Sequence, residues 1–314
     1  MSVNTVLGLG AAAMDTVIGC DRLPQEDSFQ VIDREQLLPG GSCANMLAAL
    51  AALGVRARLL AKIGDDERGR LFRSTLRQDG VEDGWLVEKP GGVTLHTYIW
   101  AAATGNHCIF VNLGDALMDL QPEEIDESIL DGVDLFYSDF FPGKATLKIA
   151  RMCKKKDIPV VLCMQCTPSF MRKAGNTDAD LEASLALADL IVSGREPYEE
   201  YSGLADMQQA LAAVYEEYRP RFGAVCTAGD CGAIWLQEGK TLHSPAFSIV
   251  PVDSTGAGDS FLGGLIYAFF HEGQSAQAAL EFAAAVGAMK CLRFGPRIKA
   301  HADEVKRFMR EHAK

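Results

Sequence analysis

The chain has 314 residues, 48% of them hydrophobic, which suffices for a buried core in one large domain or two modest ones. A formal charge of −12 and an isoelectric point near 5.0 disfavour a general nucleic-acid binder, because affinity for a phosphate backbone needs clustered lysine and arginine. No run reaches the ~18 apolar residues of a membrane span, and Met-Ser-Val-Asn-Thr lacks the basic start and apolar core of a signal peptide.

In chain order, Val3 to Gly10 reads as a buried strand that ends in small residues ahead of Asp15. Between Thr16 and Leu38, Phe29, Val31 and Asp33 alternate with Gln30, Ile32 and Arg34, a pattern that predicts exposed β structure. Pro39-Gly40-Gly41-Ser42-Cys43-Ala44-Asn45-Met46 then leads into an Ala/Leu helix, with Ser42 as its expected N-cap and Gly54 as its expected C-cap. Two glycines let backbone approach a ligand closely, and Asn45 supplies both a donor and an acceptor. A plain turn into a helix would leave the same pattern. Arg58 to Ile63 reads as a strand, and Gly64-Asp65-Asp66-Glu67-Arg68-Gly69 as the acidic start of a helix running to about Gln78. Thr94 to Ala101 and Cys108 to Leu113 alternate around Thr104-Gly105-Asn106, which predicts a hairpin. Its strands are apolar on both faces, with Leu95, Ile99 and Ala101 on one and Tyr98 and Trp100 on the other. With residues 16–38 this hairpin could form a small β-sheet lid.

From Asp134 onward strands alternate with helices. The strands fall near Leu135–Ser138, Pro159–Cys163, Leu190–Ser193, Ala224–Thr227 and Ala233–Leu236; Lys144–Lys154 and Met207–Glu217 are two of the intervening amphipathic helices. That alternation implies an α/β fold, a mainly parallel sheet covered on both faces. Cys163 and Cys166 have C-x-x-C spacing, but no second pair matches them, so they read as buried thiols. The nine cysteines are odd in number and the six histidines show no zinc-type spacing, which suits a reduced, cytoplasmic protein.

The richest stretch is Asp253-Ser254-Thr255-Gly256-Ala257-Gly258-Asp259-Ser260-Phe261, preceded by the strand-like run Phe247–Val252 and followed by a helix-length apolar run, Leu262–Phe270. Two glycines around a small residue at a strand-to-helix turn leave backbone N–H groups converging on one point, an anion site. Asp259 falls in the first helical turn, where a carboxylate repels bound phosphate and is suited to proton transfer. The alternative is an ordinary glycine turn with an aspartate that complements the helix dipole. Beyond it, Ala276–Met289 reads as a closely packed helix and His301–His312 as an amphipathic surface helix.

These nine residues closely resemble the C-terminal signature of the ribokinase-like (PfkB) carbohydrate kinases, and the Gly40-Gly41…Asn45 stretch resembles their N-terminal signature. The resemblance covers both signatures, the hairpin and the order of elements. It implies a single ribokinase-like domain over 1–314, its mostly parallel sheet flanked by helices on both faces, with a lid from about 16–38 and 94–113. It implies ATP-dependent phosphorylation of a hydroxymethyl group with Asp259 as general base and the amides of Gly256, Ala257 and Gly258 on the transferring phosphoryl group. Asp15, Gly40, Gly41 and Asn45 match positions that hold the acceptor's hydroxyls, and Trp100 of the lid is a further acceptor contact. Thr227-Ala228-Gly229-Asp230-Cys231-Gly232 is similar to the family's nucleotide loop, which assigns Thr227, Gly229 and Gly232, together with Ala283, to ATP. Asp253, Thr255, Arg293 and Gly295 fall where many relatives bind a monovalent cation such as K+.

Two departures stand out. Where many relatives have Asn-x-x-Glu to organise magnesium, this chain reads Ser193-Gly194-Arg195-Glu196, which leaves Glu196 as an indirect Mg2+ ligand. The Asp-x-Asn-x-Arg pattern of many sugar kinases is replaced by Cys163-Met164-Gln165-Cys166-Thr167. No lysine or arginine occurs between Glu35 and Val55 or in the hairpin, which favours a neutral acceptor over a sugar phosphate, with Arg22 and Arg34 as the residues able to reverse that. The expectation is a kinase of a neutral sugar or polyol, with a nucleoside kinase or a catalytically weak ligand-binding relative as alternatives, and a homodimer paired through the lid.

Overall fold

The computed structural model describes residues 2–102 and 107–312, so the turn expected at Thr104-Gly105-Asn106 lies outside the described residues. In chain order the strands are β1 (Thr5–Leu9), β2 (Ala13–Cys20), β3 (Arg34–Gly40), β4 (Arg56–Gly64), β5 (Glu82–Lys89), β6 (His96–Ala102), β7 (His107–Asn112), β8 (Leu135–Ser138), β9 (Val160–Met164), β10 (Leu190–Gly194), β11 (Ala224–Thr227), β12 (Ala233–Gln237) and β13 (Lys240–Ser244). The helices are α1 (Ser42–Ala52), α2 (Glu67–Gln78), α3 (Gly143–Lys155), α4 (Pro168–Lys173), α5 (Asp178–Leu185), α6 (Arg195–Ser202), α7 (Met207–Tyr218), α8 (Ala257–Ile266), α9 (Ala276–Cys291) and α10 (Ala302–Glu311).

Nine strands form one sheet in the order β13-β12-β11-β10-β9-β8-β1-β4-β5. From β5 to β11 all pairs are parallel, and β12 and β13 close the edge antiparallel. Helices cover this sheet, so β1, β8 and β9 are buried at every position, and their sequences are continuous apolar runs because neither face meets water. The smaller sheet has the order β3-β2-β6-β7, with Asp15 opposite Thr97 on one side and Leu38 on the other.

Helices α1, α8 and α9 stack closely because their contact positions are small. A side chain at Gly263 would run into Ala49, and one at Gly264 into Val286 and the backbone of Ala283. Asp66 caps α2 by accepting from the Gly69 amide at 2.8 Å, so the Gly-Asp-Asp stretch is a helix start.

Three local expectations are corrected. Residues 29–33 form no strand: Phe29, Val31 and Ile32 are exposed, with no neighbouring strand to complete a ladder. Phe247–Val252 is likewise outside any sheet, because β13 already occupies the edge; Val250 is 87% exposed. Ser42 does not cap α1. That position is Gly41, at φ 87°, and the Ser42 hydroxyl is drawn instead to the Asp139 carboxylate.

Candidate active site

Parallel strands aim their carboxyl ends at one edge of a sheet, and ligands gather in the crevice there. In this molecule the N-termini of α1 and α8 and one face of the smaller sheet enclose a cavity of about 450 Å3 beside that edge. Its polar end carries Asp15, Ser42, Asn45, Thr97 and Asp259, with Thr255 and Gly256 beside them. The lining also includes Ile99, Ile109, Val111, Leu113, Phe141 and Phe170, with Gln165 as a further polar group.

Asp259 is 7% exposed and occupies the third position of α8. One of its carboxylate oxygens accepts from Asn45 Nδ2 at 2.9 Å. The orientation of that amide is fixed from behind: Asn45 Oδ1 accepts from Arg297 Nε at 3.1 Å, and Arg297 also bonds Asp79 at 2.6 Å and the Gly40 carbonyl at 3.3 Å. The Arg297 side chain is 5% exposed and its partner Asp79 8%, so this ion pair is shielded from water. Burial pushes the Asp259 carboxyl up to about 7, with the Asn45 amide and Arg297 pulling down and the nearby Asp139 and Asp15 charges pushing further up. Asp139 is raised to about 6 by burial, although the Ser42 hydroxyl and the amides of Ala11, Phe141 and Cys43 stabilise its charge. Asp15 is also raised by burial, against the Thr97 hydroxyl donating at 2.7 Å and the charge of Arg297.

The turn before α8 has the shape an anion site requires. Gly256 sits at the N-cap with φ 74°, and a Cβ there would lie 2.1 Å from the Pro296 carbonyl oxygen. A Cβ on Gly258 would meet nothing within 4 Å. The Ala257 amide, expected on the phosphoryl group, instead donates to the Ser254 carbonyl at 3.1 Å, which leaves the amides of Gly258 and Asp259 to face an anion at the start of α8.

The structure thus brings Asp15, Gly41, Asn45, Thr255, Gly256 and Asp259 to one cavity. Gly40 stands just behind it, its Cα against the Asp15 carboxylate. Thr227 ends β11, and Gly229 and Gly232 follow at φ 56° and 87° in the loop at the same sheet edge. Glu196 is exposed in the first turn of α6, directly after β10, whose Gly194 pairs with Thr227. The Ser193 hydroxyl donates to the Met164 carbonyl at 2.9 Å, so it is committed within the sheet. Among the described residues no three His, Cys, Asp or Glu side chains are grouped as a metal cage.

Two assignments need correction. Trp100 lies opposite Ile18 and Cys108, on the face of the smaller sheet away from Ile99, so it does not reach the cavity. Ala283 is fully buried against Gly264 of α8 and has no surface to offer a nucleotide. Sequence reasoning missed Arg297, Asp79, Thr97 and Asp139. Of these only Asp139 carried a readable signal, its place one residue past the carboxyl end of a parallel strand.

The description "pfkB family carbohydrate kinase" matches residues 4–303, and the chain belongs to this family. It is 30% identical over 306 residues to an ATP-dependent ribose-1-phosphate kinase of Halopiger xanaduensis, covering 98% of both chains. It is 26% identical to the ribokinase of Bacillus subtilis, over 93% of this chain and 94% of that one. Arabidopsis thaliana ribokinase, solved with ribose and ATP, superposes with a TM-score of 0.82 at 23% identity, covering 98% of this chain and 99% of that one. The protein is accordingly a carbohydrate kinase of this family, with the ribokinase fold.

Proposed function

We propose that the protein transfers the γ-phosphoryl group of ATP to the hydroxymethyl group of a neutral, sugar-like acceptor, with Asp259 as general base. The observation that carries this is a buried carboxylate held near 7 beside an open turn of helix-start amides. A base that titrates near the working pH takes a proton efficiently. The acceptor lies with its hydroxyls on Asp15, Asn45 and Thr97, and its hydroxymethyl oxygen gives its proton to Asp259 as it attacks the γ-phosphorus and ADP departs. The amides of Gly258 and Asp259 stabilise charge on the phosphoryl oxygens, since catalysis of this transfer is mostly positioning and electrostatics.

Thr227, Gly229 and Gly232 hold the nucleotide. Glu196 would stand in an outer role toward an Mg2+ ion brought with ATP, and such an ion would neutralise phosphate charge.

The neutral acceptor is supported by the lining of the cavity, which includes no lysine or arginine. Arg297 is spent on Asp79, Asn45 and Gly40, Arg22 is exposed, and Arg34 lies over the Phe294 ring at 3.6 Å. The apolar side chains in the lining favour a second reading, in which the sugar bears a flat, weakly polar base as in a nucleoside. Measuring ADP release with free sugars, nucleosides and sugar phosphates separates these readings, and release should stop in excess chelator. A sugar phosphate as best substrate by kcat/KM would overturn the neutral acceptor, and no turnover at all would favour a ligand-binding relative.

The smaller sheet serves as a lid, and its outer face, where Tyr98 and Phe110 are exposed, pairs two subunits. Sedimentation should give a dimer at micromolar concentration; a monomer would remove the pairing and leave the lid.

A further inference from the structure

Lys290, in the last turn of α9, is completely buried. Its Nζ donates to the backbone carbonyl of Asp253 at 2.6 Å and stands 3.8 Å from the Asp253 carboxylate. Asp253 opens the anion turn. One of its carboxylate oxygens accepts from the Thr255 amide at 2.9 Å, and the other accepts from the Gly295 amide at 2.9 Å. The amides of Val252 and Asp253 both donate to the Cys291 carbonyl, at 2.7 and 3.2 Å. The segment 291–297 thereby buttresses the turn from behind, with the Pro296 carbonyl packed against Gly256.

This is the position at which family resemblance led us to expect a monovalent cation on Asp253, Thr255, Arg293 and Gly295. At Asp253, the first member of that set, an ammonium already stands where the added cation was expected: the carbonyl accepts from Lys290 Nζ, and both carboxylate oxygens accept from amides. A buried ammonium without compensation is costly, and here one carbonyl and one carboxylate compensate it.

We infer that Lys290 is a built-in monovalent cation: its ammonium fixes the Asp253–Gly258 turn on phosphate, so this kinase needs no K+ or other added cation there. Lys290 is a positioning residue that touches neither substrate and acts through the Asp253 carbonyl. The inference rests on the proposed role of the turn as a phosphate site and is independent of Asp259 as base.

The test is calorimetric binding of the non-hydrolysable ATP analogue AMP-PNP with Mg2+, in buffers whose cation is K+, Na+ or tetramethylammonium, with kcat alongside. For the unaltered protein we expect a Kd equal within about twofold in all three. Lys290→Met should bind about tenfold more weakly in tetramethylammonium and recover in K+ or ammonium, which are small enough to refill the vacated space. A tenfold gain of the unaltered protein on adding K+ would overturn the inference. So would a folded Lys290→Met protein with unchanged Kd and kcat, or a weakening that no small cation relieves. Where Lys290→Met does not fold, the cation series on the unaltered protein decides alone. Asp259→Asn should give the same cation series in binding, so failure of the base assignment is read separately.

Discussion

Two glycine turns open neighbouring helices at the cavity, and they are built for different ends. At the start of α1, both glycines answer to the protein itself. A Cβ on Gly40 would lie 2.0 Å from the Asp15 carboxylate, and one on Gly41, at φ 87°, would lie 2.3 Å from the Ala11 carbonyl. At the start of α8, only Gly256 answers to the protein, at φ 74° against Pro296. Gly258 has neither a positive φ nor a neighbour within 4 Å. No packing demand holds Gly258 as glycine, and in the proposed function its amide meets the phosphoryl group. The first turn is closed packing that presents Asn45; the second is packed at Gly256 and open at Gly258.

The largest effect expected along this divide is at Asp259. Replacing it with Asn should lower kcat by about 10²–10⁴-fold and leave nucleotide affinity nearly intact. A variant that keeps more than about a tenth of the normal kcat would end the assignment. If Asp259 is the base it works only when ionised, so kcat/KM should climb through pH 6, reach half its maximum near 7 and level off roughly a unit above that. Stability moves the other way. A folded value raised from 3.8 to about 7 favours folding at low pH and loses that contribution as pH rises between them, so Asp259→Asn should melt higher than the parent at pH 8, by a few degrees on the order of magnitude, with the gap closing toward pH 4.

The paired glycine substitutions give the smaller effects and compare the turns directly. Gly258→Val should fold with a melting temperature close to the parent, since β-branching in a helix costs under about 1 kcal/mol, and yet lose turnover and nucleotide affinity by roughly tenfold or more. Gly41→Ala should do the reverse at first sight, losing about 1–3 kcal/mol of stability through backbone strain and the clash with Ala11. Normal turnover in folded Gly258→Val, or an undiminished melting temperature in Gly41→Ala, would erase the distinction.

Much of this site was legible because its signals are local. A strand, a turn and a helix that follow one another constrain their own geometry, so Gly256-Ala257-Gly258-Asp259 could be read as amides facing a carboxylate, and β8 and β11 were located to the residue. The alternation of strands and helices after Asp134 likewise announced the parallel sheet. Local pattern failed where no partner strand existed: the alternation at residues 29–33 and the apolar run at 247–252 have nothing to pair with.

What the sequence determined by itself is the order of elements, the family, and the identity of the carboxylate at the head of α8. Only the tertiary structure decided what surrounds that carboxylate. Asn45 and Arg297 are 252 positions apart, and Asn45 and Asp259 are 214 apart, so no local pattern records that one amide links the two. Which face of the smaller sheet carries Trp100 was likewise set by where that sheet docks. Lys290 shows the reason most plainly. In the sequence it is one lysine at the end of an alanine-rich helix, and burial, a property of the whole packed molecule, turns it into a fixed internal charge.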